Sequence, residues 1–159
     1  MLRLNKLTDY AVVVLCHMGM ERNSVYTVSR LARGSGVPQP TVAKLMKQLV
    51  RSGLVSSQRG ASGGYMLRRS LTEIAISDVI TSLEGPIALT ACVDGTEDIC
   101  ASIALCPIKG NWNKVNQAIK EALDNVSLAD VAPNPVNFLP VNPVQKLEKT
   151  LHNELGLRR

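Results

Sequence analysis

Thr27-Val28-Ser29-Arg30-Leu31-Ala32-Arg33-Gly34-Ser35-Gly36-Val37-Pro38-Gln39-Pro40-Thr41-Val42-Ala43-Lys44-Leu45-Met46-Lys47-Gln48-Leu49-Val50-Arg51-Ser52-Gly53 decides the fold. Thr27 is a helix-capping residue placed ahead of Val28 to Arg33, and Gly34-Ser35-Gly36 stops that helix. Val37-Pro38-Gln39-Pro40 starts the next one, since proline is tolerated in a first turn. The second helix, Thr41 to about Ser52, places Val42, Leu45, Met46, Leu49 and Val50 at core spacing. Its other face carries Lys44, Lys47, Gln48 and Arg51, and Gly53 ends it. A helix, a short glycine-containing turn and a helix with a cationic face form the helix-turn-helix pattern.

Upstream, Thr8 is read as the cap of a helix running from Asp9 to about Met20, with Ala11, Val14, Leu15 and Met18 facing a core. Cys16 within it reads as a small buried hydrophobe, and His17 points about 100° away around the helix, so the two do not form a catalytic pair. Downstream, Leu54 to Arg59 and Gly64 to Leu67 read as two strands joined by a glycine-rich tip. No helix or lysine follows that tip, so it is a poor nucleotide loop. Arg59, Arg68 and Arg69 make the hairpin a basic wing. The expected fold is mainly α with a small β-hairpin: a winged helix-turn-helix over residues 1–84, plus a long C-terminal helix.

Charge supports that division. The chain of 159 residues carries +5 overall. Residues 1–70 hold eleven cations and two acids, a net +9, which leaves seven cations and eleven acids, −4, for the rest. Such asymmetry suggests a nucleic-acid-binding half joined to something else, the alternative being a solvated basic face. Aromatic residues are only 3%, too few for base-stacking platforms. The apolar run Ala11 to Leu15 is too short for a signal-peptide core, and no stretch approaches a membrane span, so the chain is expected to be soluble and cytoplasmic.

In a duplex reader, Gln39, Thr41 and Lys44 near the start of the second helix are the candidates for base edges. Lys47, Arg51 and the backbone near Thr27 suit phosphates, and Arg59 suits the adjacent minor groove. A protein-interaction module that uses the basic half for an acidic partner is the competing reading.

In the acidic half, Ser77 is read as capping a short helix, Asp78 to Leu83. Residues 85–110 then hold Cys92, Cys100 and Cys106 in a C-x7-C-x5-C spacing. Three thiols around a small polar segment suit an iron–sulfur cluster or a thiol switch about equally, with zinc behind both because paired C-x2-C knuckles are missing. Two histidines and no acid–base constellation argue against an enzyme with a small-molecule substrate. Residues 111–132 open on the longest helical pattern of this half, with Trp112, Val115, Ile119 and Leu123 in one stripe suited to an antiparallel dimer. A homodimer would match a palindromic operator. Residues 133–159 read as a proline-rich linker and a last helix over 144–155.

Leu4 to Val12, Gly53 to Ser57 with Arg59-Gly60 and Gly63-Gly64-Tyr65, and the three-cysteine loop together resemble the iron–sulfur winged-helix regulators of the IscR and NsrR type. Leu83 to Leu89, Cys106-Pro107 and Gly110-Asn111-Trp112 look most like the subgroup that regulates SUF-type iron–sulfur assembly. The resemblance covers about residues 1–131. It implies a homodimeric regulator, in that subgroup of assembly genes, whose cluster is held by Cys92, Cys100 and Cys106 and reports cluster supply, oxidants or nitric oxide. The IscR-type pattern has a histidine three residues after the third cysteine, where this chain has Lys109. NsrR-like members take a carboxylate from the partner's first helix, and Asp9 stands at the matching position. Asp9 suits equally an ordinary first-turn acid. The resemblance favours [2Fe–2S] through the assembly regulators and leaves [4Fe–4S] open through the carboxylate.

Overall fold

The computed structural model describes residues 3–21, 23–60, 62–93, 106–108 and 110–132. Cys100, Lys109, the linker and the last helix expected beyond residue 132 lie outside the described residues.

Helix α1 (Lys6–Gly19) starts earlier than expected. Asn5 caps it, its side chain accepting from the Leu7 N–H at 3.0 Å. Thr8 is inside the helix and fully buried, so its hydroxyl serves a tertiary contact instead of a cap. Helix α2 (Val28–Ser35) is capped by Thr27 as expected, the hydroxyl accepting from the Arg30 N–H at 3.2 Å. Gly36, with φ +72°, ends it. Gly34 therefore lies within the helix, and its lack of a side chain lets α1 approach: a Cβ there would stand 2.0 Å from His17 Nε2.

Helix α3 (Gln39–Arg51) begins two residues before the expected Thr41. Pro40 falls in its first turn, where no backbone donor is needed. Strands β1 (Val55–Gln58) and β2 (Gly64–Leu67) pair antiparallel, Val55 opposite Leu67 and Gln58 opposite Gly64. Tyr26 adds a bridge to Tyr65, with both N–H···O bonds at 2.8 Å, and this docks the wing onto the approach to α2.

Helix α4 (Ile76–Glu84) also starts earlier than expected. Ser77 is buried in it and caps nothing, while the Asp78 carboxylate accepts from the Ala75 N–H at 3.4 Å. Helix α5 (Trp112–Asp124) is followed by α6 (Leu128–Val131), which Ser127 caps, its hydroxyl accepting from the Asp130 N–H at 3.3 Å. Backbone bonds Leu128 N–H to Ile74 O (2.8 Å) and Ile76 N–H to Val126 O (2.9 Å) stitch α6 to the entry of α4.

One core joins these elements: Ala11, Val14, Leu15 and Met18 of α1, Leu31, the Val42-Leu45-Met46-Leu49 face of α3, Val79 and Ile80 of α4, and Leu128. The fold is the expected one, mainly helical with a two-stranded wing after a helix-turn-helix. No helix among the described residues is long and apolar enough to cross a membrane.

Candidate functional site

The arc of α3 opposite its buried residues is the first candidate surface. Gln39, Pro40, Lys44, Lys47 and Arg51 are exposed along it, and Thr41 is half-buried. At 100° per residue, Pro40, Lys47 and Arg51 lie within about 40° of one another at the centre of the arc. Thr41 and Gln48 stand on one flank, Gln39 and Ala43 on the other. Gln48 is not a solvated surface group: its Oε1 is buried without a hydrogen-bond partner. Thr27 is exposed at the N-terminus of α2, and Arg59 is exposed beyond β1 beside Gly60, whose φ of +114° turns the wing tip.

Ion pairing separates the cations of this half. Arg30 bonds Glu21 at 2.6 Å and stacks over the Tyr26 ring, 4.4 Å from its centroid. Arg69 bonds Asp78 at 2.8 Å and donates to the Glu73 carbonyl. Among the described residues no acid pairs with Lys44, Lys47, Arg51 or Arg59. Unpaired cations on one helix face and one wing are what a polyanion can neutralise.

The cysteines divide as well. Cys16 is buried, its Sγ lies 3.8 Å from the Leu128 carbonyl, and burial pushes its thiol up to about 11. Cys92 and Cys106 are free, half-buried thiols, Cys92 Sγ standing 3.1 Å from Thr90 Oγ1. Among the described residues no group of three or more metal-ligating side chains converges within one chain. Asp9 is exposed on the first turn of α1 and is not gathered with these thiols. Soft thiolates and an unengaged carboxylate are nevertheless a donor set that fits an iron–sulfur cluster.

Two residues that sequence spacing did not reveal position this region. Glu84, at the end of α4, accepts from the Thr8 hydroxyl (2.5 Å) and the Asn5 N–H (2.9 Å), so it grips the turn that carries Asp9. Asn116, buried on α5, donates to the Ile87 carbonyl at 2.8 Å and accepts from the Leu89 N–H at 3.1 Å, which fixes the segment leading to Cys92. Their partners are 27 to 79 residues away, so no local pattern could have flagged them.

The α5 stripe splits between two environments. Leu123 packs against the core and Ile119 is half-buried, whereas Trp112 and Val115 are 38% and 45% exposed. Ala118 and Ala122 extend the exposed side.

A recognition helix with an unpaired cationic face and a basic wing define a DNA-binding transcription regulator of the winged-helix class. The chain belongs to the Rrf2 family, whose model, an iron-dependent transcriptional regulator, matches residues 4–134. It is 31% identical over 149 residues to Protein aau3 of Rhizobium meliloti (strain 1021), covering 89% of this chain and 97% of that protein. Among solved structures it is similar to CymR (YrzC), the global cysteine regulator of B. subtilis, at 28% identity and a TM-score of 0.61, covering 83% of this chain and 97% of that one. It is similar also to T. potens IscR, at 28% identity and a TM-score of 0.57, covering 82% and 85%. The family is one of regulators, not of enzymes.

Proposed function

We propose that the chain acts as a homodimeric repressor of iron–sulfur assembly genes whose affinity for a palindromic operator is tuned by an iron–sulfur cluster. Cys92, Cys100 and Cys106 of one subunit and Asp9 of the partner subunit would hold that cluster. The observation that carries the reading is the pair of free, half-buried thiols Cys92 and Cys106 in a chain whose Asp9 carboxylate faces outward. The exposed apolar side of α5, with Trp112 and Val115, supports pairing of two copies.

A bound cluster supplies a group whose gain, loss or oxidation changes the charge and bonding at these side chains. The chain's own residues carry the consequence. Asp9 lies in the turn that Glu84 grips, and α1 packs against α2 and α3 through Leu15, Leu31 and Leu45. A pull on Asp9 therefore reaches the recognition helix through packed core. On DNA, Gln39, Thr41 and Lys44 take base edges, Lys47, Arg51 and the Thr27 backbone take phosphates, and Arg59 enters the minor groove.

A thiol-based redox or nitric-oxide sensor on the same scaffold is the second reading. It is favoured by the two thiols themselves and by similarity to a protein described as a global cysteine regulator. Iron and sulfide content, together with the visible spectrum, separates the two: a protein that stays colourless and iron-free after anaerobic reconstitution leaves the thiol sensor. Asp9→Ala then tests the fourth ligand. The cluster reading expects its visible spectrum to bleach faster in that variant, whereas an unaltered spectrum and lifetime removes Asp9 from the ligand set. Operator binding with a steep salt dependence is expected in either reading, and a flat one points to a protein-interaction module instead.

A further inference from the structure

Two apolar residues interrupt the cationic face of α3 near its N-terminal end. Pro40 is exposed there, and Ala43, one turn on, is half-buried beside it. The cations Lys44, Lys47 and Arg51 stand around and behind this pair, and α3 carries no carboxylate at all. Pro40 has neither a backbone N–H nor a side-chain donor, and Ala43 offers only a methyl group. Gln39, exposed, and Thr41, half-buried, are the hydrogen-bonding side chains of the first turn of α3.

Resting on the DNA-binding reading, we infer that Pro40 and Ala43 form an apolar plate that selects thymine by taking its 5-methyl group. In the major groove a thymine presents that methyl beside one acceptor, while cytosine presents an amino donor and guanine two acceptors. A donor or acceptor pressed against the Pro40 ring loses water and gains no partner, so cytosine and guanine are disfavoured there. The thymine methyl is instead removed from water against carbon. The surrounding cations supply the complementary charge that brings the duplex onto this face. Proline in a first turn also has a plain role as helix starter, and that role has no dependence on the base opposite it.

The test selects half-sites for the full-length protein from a random duplex pool, then replaces each thymine of the selected site with deoxyuridine, which lacks only the methyl. Expected are one or two thymines per half-site at which the loss weakens binding about threefold to fivefold, the effect of burying one methyl group. With Ala43→Ser, and with Pro40→Ser added, the thymine-to-uridine ratio at those positions should fall toward one. The ratio is internal to each variant, so a general loss of helix stability does not mimic the result. Deoxyuridine tolerated at every position, or a penalty unchanged in the variants, overturns the inference. Failure to select any duplex overturns the DNA-binding reading itself, and this inference with it.

Discussion

Glu84 at the C-terminal end of α4 accepts a hydrogen bond from the buried Thr8 hydroxyl in the first turn of α1. The bond spans 76 residues and joins the helix that leads toward Cys92 to the turn that carries Asp9. Replacing Glu84 with Ala leaves a buried hydroxyl unsatisfied, and a cost of about 1–2 kcal/mol in unfolding free energy is expected. Denaturant unfolding measures it. The same variant should narrow the difference in operator affinity between cluster-loaded and cluster-free protein. A full difference retained at wild-type stability would remove Glu84 from the coupling.

Asn116 holds two backbone groups of residues 87 and 89 with one amide. Asn116→Leu removes both bonds, with a loss of about 1–3 kcal/mol expected. Because that segment leads to Cys92, faster alkylation of Cys92 in the variant is expected from mass-spectrometric labelling. Unchanged labelling would show that the segment does not depend on α5.

Gly34 permits the contact between α1 and α2. A methyl group there meets the His17 ring, which stacks edge-on to Tyr26 with centroids 5.8 Å apart. Gly34→Ala should cost about 1–3 kcal/mol through overpacking, despite the better helix propensity of alanine. A more stable variant would mean that the two helices separate freely.

His17 makes stability depend on pH. Desolvation, followed by the nearby Arg30 charge, lowers its pKa below the ordinary 6.5, with Glu21 acting in the opposite direction. The unfolded chain therefore binds the proton more readily than the folded one, and stability falls as pH drops through about 6.5 toward the folded value. Tyr26 and Gly34 complete the surroundings of the ring. His17→Gln should flatten the melting temperature across that window. An NMR titration of His17 at or above 6.5 would contradict this.

Cys16, with its thiol raised to about 11 by burial, should resist alkylation in the folded protein at pH 8, while Cys92 and Cys106 react. Quantitative labelling before and after denaturation distinguishes the thiols.

Periodicity made the helix-turn-helix and wing legible, because Val42, Leu45, Met46 and Leu49 repeat at helical spacing and the glycines around residue 60 mark a hairpin. Helix starts were less legible. Thr8 and Ser77 have capping chemistry, but both are buried in tertiary contacts, and Asn5 and Asp78 make the bonds at those helix starts. Of the functional surface, the cations could be read as residue types, yet which of them were free could not. Only the folded chain pairs Arg30 with Glu21 and Arg69 with Asp78. The α5 stripe looked uniform in sequence, although Leu123 belongs to the core and Val115 does not.

In the proposed function a cluster at the cysteine segment sets DNA affinity. The most direct test is the operator affinity of one anaerobic preparation, of measured iron and sulfide content, before and after the cluster is removed. Iron and sulfide bound in the first state and an affinity differing by about tenfold or more between the two are predicted. Equal affinity in both states, or a protein that stays free of iron after reconstitution, would contradict the account.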